Sequence, residues 1–536
     1  MDRIRIGARK SDLARLQAYH VAEKIRKINP SVFIEFNFKE SLGDKNLTDP
    51  LWKMPEKGVF TQDFVSDLLE SRVDIVVHSW KDLPTDPRPG LKISATLERE
   101  DLRDVLLVKK DFHNPDQNKI IYSSSPRREK NIGEYLNYLG FQSKFVFQPV
   151  RGNIATRIRK FSEDSNAWAL VVALAALKRL SHPYKWSDSY SNIAQEDFSE
   201  KSLVINEFIK SFDWLVCPLT HNPTAAAQGA LAIESRDNDS ELNDLLNRIN
   251  DRECMAQVES ERKQFKAYGG GCHQKIGISK FSVAGKHEMT IVRGETPNGE
   301  LLNSVVCLTP KAELLKKLAT DDPGAVWNSY RELKSLTQRV ARNPQVIKDL
   351  KRRYESSSPD GLVWWVSKSA AMPEYFLDSI RPQDRVWASG IKTQKELMQK
   401  GVWVCGNSES LGVHSLGVSY PMSWDNKKPQ NVVYLTHGEA PEVDLFGEKV
   451  TTLATYDLDF SALKSIDQEK LFSNRVFLWG AASHFKAMLQ HFPQLFKDKK
   501  MERYHFCGLG RSYDEIKALA VNEDLEIAPV LMNDFI

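Results

Sequence analysis

Residues 73–84 read Val73-Asp74-Ile75-Val76-Val77-His78-Ser79-Trp80-Lys81-Asp82-Leu83-Pro84. The run 73–77 (VDIVV) is short and mostly apolar, as a buried strand of a parallel sheet would be. Working outward, residues 3–7 (RIRIG) read as a strand. Ser11 stands where a helix cap belongs, ahead of Leu13, Leu16, Val21 and Ile25 on one helical side. Residues 32–38 alternate like a second strand, and 120–122 (IIY) and 169–174 (ALVVAL) repeat the apolar pattern. Strands alternating with helices imply an α/β fold. Ligands in such sheets bind outside the carboxyl ends of the strands, so the polar residues that follow each apolar run carry the functional reading.

A chain of 536 residues exceeds one ordinary core, and several domains are expected. Lys+Arg 74 against Asp+Glu 71 leaves a net +3, a balance that argues against a general nucleic-acid binder while leaving room for a local basic cleft. The opening MDRIRIGARKSDLARLQ has no apolar core of signal-peptide length, and no run of roughly 18 apolar residues occurs. A cytoplasmic protein without a membrane span is therefore expected. The six cysteines (Cys217, Cys254, Cys272, Cys307, Cys405, Cys507) are scattered without a CxxC pair, which gives no disulfide framework or zinc site.

Composition changes after about Leu308. Residues 311–358 are charged and helix-prone, with breaks at Pro310, Pro323 and Pro359, and are read as a helical connector. Another α/β region runs from Leu362. Within it VWWV (363–366) followed by Ser367–Ser369 parallels VFLW (476–479) followed by Gly480–Ser483, at an offset of roughly 115 residues. Two similar α/β halves account for this, as does chance likeness between generic strand–helix units.

Basic residues follow or flank most of the N-terminal strands: Arg9, Lys81, Arg127 and Arg128, Arg151 and Arg157, and Arg179. A guanidinium binds a carboxylate through two parallel hydrogen bonds, so a cleft ringed this way suits a polycarboxylate or a phosphate. Ser123-Ser124-Ser125 would add hydroxyl and backbone donors for ligand grip, since no Ser-His-Asp arrangement is evident. Asp82, beside Lys81 and after a buried strand, would stay ionised and could exchange a proton or stabilise a developing cation. Taken alone its commoner role is a helix cap or an ion-pair partner. Cys272 lies in Tyr268-Gly269-Gly270-Gly271-Cys272-His273-Gln274, where three glycines let a bulky group approach sulfur. Taken alone it reads as a turn cysteine.

Together these residues resemble the porphobilinogen deaminase (hydroxymethylbilane synthase) family. The resemblance rests on RIGARKSDLARLQA at the start, KGVF at 57–60, VDIVVHSWKDLP, LEREDLRDVL, SSSPRR, RGNIATR, ALAALKRL, AAAQGALAIESR and GGGCHQKIG, in order through about residue 308. It implies a covalent dipyrromethane cofactor in thioether linkage to Cys272. Four porphobilinogens would be joined head to tail with loss of ammonia, Asp82 serving as the acid–base carboxylate and no metal being needed. It implies cofactor contacts from Lys81, Arg127, Arg128, Ser79, Ser123, Ser125 and Asp82. Substrate contacts would come from Arg9, Gln17, Arg151, Arg157, Arg179 and Gln228. The implied fold is two periplasmic-binding-protein-like α/β domains, at 1–98 with 225–240 and at 99–224. A small α/β domain at 241–308 bears the cysteine, 309–360 is the connector, and 361–536 is a two-lobed α/β region. A monomer is expected.

Several positions depart from the family pattern. Asp12 replaces a usual proline and Arg15 an apolar residue, Pro55-Glu56-Lys57-Gly58 lacks a glycine pair over the cleft, and Pro126 replaces an apolar residue. The stretch 181–224 is longer than usual, with no role legible in it. Residues 362–535 resemble uroporphyrinogen-III synthase through VWWVSKSAAMPEYF, VWASGIKTQKELMQKGVWV, NVVYLTHGE, VFLWGAASHF and CGLGRSYDEI. The usual first strand is not found. The resemblance implies ring closure of the released tetrapyrrole, with Ser369, Thr393, Tyr456, Ser483 and Ser512 as cleft residues. Two other classes remain. One is a deaminase whose C-terminal half is inactive or serves interaction. The other is a non-catalytic anion-binding protein, which would need no thiol in a glycine pocket.

Overall fold

A computed structural model describes residues 1–40, 62–110, 119–141, 143–271, 273–283, 287–309, 314–315, 317–318, 326–377, 380–411, 431–440, 443–445, 448–497, 501–523 and 525–530. The KGVF motif, the loop at 55–58, Pro310, Pro323 and Cys272 lie outside the described residues. The described chain forms two compact units, the first holding Met1–Lys280 and Ile291–Ser304 and the second most of the remainder.

The first unit begins with β1 (Arg3–Arg9), α1 (Asp12–Ile28), β2 (Phe33–Lys39), α2 (Gln62–Leu69), β3 (Ile75–Ser79) and β4 (Leu91–Ala95). It continues through β5 (Asp104–Lys109), β6 (Lys119–Tyr122), α3 (Pro126–Leu139), β7 (Phe145–Gln148), α4 (Ile154–Glu163), β8 (Ala167–Ala173) and α5 (Leu174–Ser181). Then come β9 (Lys185–Ser187), β10 (Gln195–Asp197), α6 (Ser199–Lys210), β11 (Phe212–Val216), β12 (Leu231–Arg236), α7 (Ser240–Ile249) and α8 (Arg252–Ala267). Two five-stranded sheets result, ordered β2-β1-β3-β12-β4 and β11-β5-β8-β6-β7.

Burial explains the strand composition. β8 (AWALVVA) is buried at every position and lies mid-sheet, so it reads as continuously apolar. β3 pairs in parallel with β1 but antiparallel with β12. Its apolar run therefore records burial on both faces, and the expectation of a parallel sheet is only half met.

The ends of α3 follow their chemistry, and the start of α1 departs from it. Ser125 accepts the Arg128 N–H, Pro126 occupies the first turn where its missing N–H costs nothing, and Gly140 at φ +97° ends α3. Ser11 occupies the cap position of α1, yet its hydroxyl caps nothing. Instead the Ser11 carbonyl accepts the Arg15 N–H at 3.0 Å. Asp12 in the first turn and Arg26 and Lys27 in the last suit the helix dipole.

A three-stranded sheet follows, made of β13 (Gly277–Val283), β14 (His287–Glu295) and β15 (Leu301–Leu308). Beyond it come β16 (Val326–Asn328), α9 (Ser329–Glu332), β17 (Gln338–Ala341), α10 (Pro344–Ser357), β18 (Val363–Val366), β19 (Arg385–Ala388) and α11 (Ile391–Gln399). The last elements are β20 (Val432–His437), β21 (Val443–Leu445), β22 (Glu448–Asp459), β23 (Val476–Trp479), α12 (Ala482–His491), β24 (Tyr504–Gly508), α13 (Arg511–Val521) and β25 (Ile527–Val530). β16-β23-β24-β25 form an all-parallel sheet. The other sheet runs β17-β22-β20-β18-β19, with β17 an antiparallel edge.

The stretch expected as a helical connector, 309–360, thus contributes a strand to each sheet, and this α/β region begins at Val326 rather than Leu362. β16 has only three residues, and β17 (QRVA) is exposed throughout, so neither shows an apolar run or alternation. Among the described residues no helix is long and apolar enough to cross a membrane.

Candidate active site

Asp82 ends a single 3₁₀ turn, Trp80–Asp82, directly after β3. The turn is fixed from below. Trp80 is 2% exposed and packs with Leu83, Ala227, Ala230, Cys254 and Val258. From α8, Arg262 donates to the carbonyls of Trp80 and Leu83 at 3.4 and 3.2 Å, and also to that of Pro84. Asp82 itself is exposed, and among the described residues it makes no hydrogen bond or ion pair. A rigid backbone thus presents an uncommitted carboxylate.

Cations surround it. The Lys81 ammonium donates to Gln228 Oε1 at 3.0 Å. Desolvation, reinforced by Arg128, pushes its pKa down to about 8 against the pull of Asp82 and Asp104. Arg157 falls to about 10 through desolvation, then through Arg128 and Arg151, with Asp82 opposing and Arg9 adding to the repulsion. Arg9, Lys81, Arg128, Arg151 and Arg157 therefore share one field around Asp82. Such a field favours a ligand carrying several carboxylates.

Other expected residues stand behind this rim. Arg127 is 4% exposed. It spends its fork on Asp104 at 2.8 Å, Asn222 Oδ1 at 3.0 Å and the Pro223 carbonyl at 2.8 Å. Arg128 also grips Asp104, at 2.6 and 3.2 Å. Gln228 donates to Asp104 and to the Leu102 carbonyl while accepting from Lys81, so its amide is fully used. Asp104, which the sequence reading did not single out, is the hub. Arg128 and Arg127 hold its carboxyl far below the usual carboxylate range. Gln17 and Ser79 bond each other at 2.9 Å. Ser125 is spent on its cap, and Ser123 Oγ accepts the Ser125 N–H at 3.3 Å. Arg179 donates to the Gly229 carbonyl at 3.0 Å. Gly229 has φ +90°, and a Cβ there would meet the Glu100 carbonyl oxygen at 2.3 Å, so only glycine allows this turn.

The segment leading to Cys272 starts at α8, the helix that pins the Asp82 turn. Gly270 has φ +58°, and a Cβ added there would lie 3.0 Å from Thr85 Oγ1, three residues after Asp82. The glycines thus serve a left-handed backbone as well as space. The other five cysteines are buried. Burial raises the Cys254 thiol to about 11 and lifts Cys217 and Cys507 too, which makes them poor nucleophiles.

In the second unit Ser369 and Thr393 share the contact between α11 and the segment after β18. Ser369 donates to Glu396, and Thr393 Oγ1 donates to the Ser367 carbonyl at 3.4 Å. Tyr456 is buried on β22. Ser483 and Ser512 are half-buried in the first turns of α12 and α13. The structure joins residues the sequence reading passed over. Lys368, just after β18, lies over the Tyr330 ring at 5.8 Å, and Tyr330 follows β16 in the other sheet. The Tyr330 ring occupies the space a Cβ on Gly480 would take. The Lys368 side chain is exposed overall, yet packing about its ammonium lowers its pKa, with Arg339 and Lys392 adding. Among the described residues, none of these three cations has an ion-pair or hydrogen-bond partner.

A family profile described as "Porphobilinogen deaminase, dipyromethane cofactor binding domain" matches residues 4–244. A porphobilinogen deaminase of Dictyostelium discoideum is 31% identical over 285 residues, covering 52% of this chain and 78% of that protein. One from Syntrophomonas wolfei is 32% identical over 316 residues, covering 58% of this chain and 92% of that protein. Among solved structures, a mutant uroporphyrinogen III synthase of Thermus thermophilus aligns at 10% identity with a TM-score of 0.23, over 36% of this chain and 83% of that one. A score that low carries no argument about fold.

Proposed function

The chain belongs to the porphobilinogen deaminase family, and on that premise we propose that it joins four porphobilinogens head to tail, releasing ammonia at each step, to give hydroxymethylbilane. A dipyrromethane cofactor in thioether linkage at Cys272, when bound, supplies the pyrrole to which the first substrate couples. The donor set suits that group, because porphobilinogen units carry acetate and propionate arms and the cleft offers several cations against one free carboxylate. Lys81 and Arg128 would hold the cofactor's carboxylates, with Arg9, Arg151 and Arg157 facing those of the substrate. Arg127 and Gln228 act from behind, through Asp104 and Lys81. Ser79 and Gln17 orient each other beside the Asp82 turn.

The uncommitted Asp82 carboxylate carries this reading. It can hand a proton to the departing amine and then face the positive charge left on the substrate's methylene and ring. Replacing Asp82 with Asn is expected to leave the covalent cofactor in place while kcat falls by about 10²-fold or more. Near-normal turnover would remove Asp82 from this role.

The second unit, in our reading, closes the released linear tetrapyrrole to uroporphyrinogen III. Lys368, Arg339 and Lys392 support this: they are cations without acidic partners where the carboxyl end of β18 faces Tyr330, a placement that suits a polycarboxylate. Product analysis with porphobilinogen as sole substrate tests it. Type III uroporphyrinogen is the expected product. Only the linear product, or its spontaneous type I ring, would mean that this unit is inactive or serves interaction.

A further inference from the structure

Residues 181–211 leave the second sheet after β8 and α5 and return to it through α6 and β11. Between these points β9 and β10 form an antiparallel hairpin. Its tip reaches the edge strand of the first sheet. The Ile34 N–H donates to the Tyr190 carbonyl at 2.9 Å, and the Asn192 N–H donates to the Ile34 carbonyl at 3.2 Å. The Asn192 amide bonds both backbone groups of Phe36, accepting at 2.8 Å and donating at 3.0 Å. The segment thereby continues the first sheet beyond β2.

Side chains lock the same contact onto α1. Trp186 is 3% exposed and stacks on Tyr19 at 5.0 Å. Tyr19 donates to Glu196 at 2.5 Å, and Tyr184 donates to Glu23 at 2.9 Å. Arg26 pairs with Asp188 at 2.8 Å, Arg15 with Glu196 at 2.7 Å, and Lys201 with Asp12 at 2.7 Å. Arg15 also lies over the Phe198 ring at 5.4 Å. Asp12 and Arg15 are two of the positions at which α1 departs from the family pattern. They meet the one stretch that is longer than usual, so three separate oddities of the sequence become one feature.

We propose that residues 181–211 form a clasp that holds the two sheets of the first unit at a set separation. Apart from the clasp, the chain crosses between the sheets at 96–103 and 217–230. β1 and β3 deliver Arg9, Lys81 and Asp82 from one sheet, while α3, α4 and the loop after β7 deliver Arg128, Arg157 and Arg151 beside the other. The spacing of these charges is therefore the spacing of the sheets, and the clasp limits how far the cleft opens around a growing chain.

The test uses the full-length chain in two variants. One carries Asp188→Asn with Glu196→Gln, which cuts ion pairs and keeps the hairpin. The other replaces 186–195 with a short Gly-Ser turn. Spin labels on Lys92→Cys and Lys144→Cys, exposed positions within β4 and just before β7, report the separation of the sheets. Amide exchange at Ile34 and Phe36 reports docking. The hairpin replacement is expected to speed that exchange at least about tenfold and to give a longer, broader distance distribution. The charge variant should shift both in the same direction, by less, and it decides the matter if the replacement does not fold. Native exchange, or faster exchange with an unchanged distance distribution, overturns the clasp. Neither readout needs substrate, so the outcome stands apart from the deaminase reading.

Discussion

The Lys81 ammonium, bonded to a neutral amide oxygen, is desolvated and crowded by Arg128, and desolvation first and Arg128 second bring its pKa down to about 8. Its protonated form is the one that grips a carboxylate, so grip is complete below about pH 8 and is lost as the pH rises through that value. The folded pKa lies beneath the ordinary 10.4, so between these values the unfolded chain binds more protons, and stability from this group rises with pH. Because Lys81 would hold the cofactor's carboxylates, turnover at saturating porphobilinogen is expected to fall between about pH 8 and 9.5 in the native enzyme and to stay flatter in Lys81→Arg, since a guanidinium remains charged. Initial rates across that range check it, and parallel profiles would speak against Lys81. At this scale the sequence was informative wherever a polar residue followed an apolar run, as with Lys81, Asp82 and Arg128. Asp104 escaped because it is one of four acids (Glu98, Glu100, Asp101, Asp104) in a charged stretch, and nothing local sets it apart from the other three. Its partners Asn222 and Gln228 lie 118 and 124 residues away.

Elements were legible where burial repeats along the chain. The reading at 73–77 and the observed β3 differ by two residues, which brings Ser79 into the strand and leaves a single turn before Asp82. β16 and β17 left no trace because three or four residues cannot show a period. Asp104 ties β5 to α3 by accepting from both arginines that start that helix. Asp104→Ala would leave Arg127 buried without its carboxylate, a loss of about 3–5 kcal/mol. Thermal unfolding should register it as a marked drop in midpoint, with Arg128 and Gln228 freed as well. A midpoint within a degree or two of the native one would mean that Asp104 is not the hub. Arg262 is a second element-scale device, since it couples the helix before the three glycines to the turn that bears Asp82.

For the whole molecule, the central claim is that the first unit carries its own pyrrole chain on Cys272. Burial raises the thiols of Cys217, Cys254 and Cys507, and Gly269, Gly270 and Gly271 have left-handed backbone; both support the proposal that the cofactor is carried on Cys272. Sequence order alone brought Arg9, Asp82, Arg128 and Arg157 under suspicion together. That β12 returns to lie between β3 and β4 is a long-range pairing that the resemblance implied and local pattern does not show. Intact-mass measurement of the purified active protein tests the claim most directly. The account predicts the sequence mass plus two linked pyrrole units, with Cys272→Ser at the bare sequence mass. An active native enzyme that weighs only its sequence would contradict it.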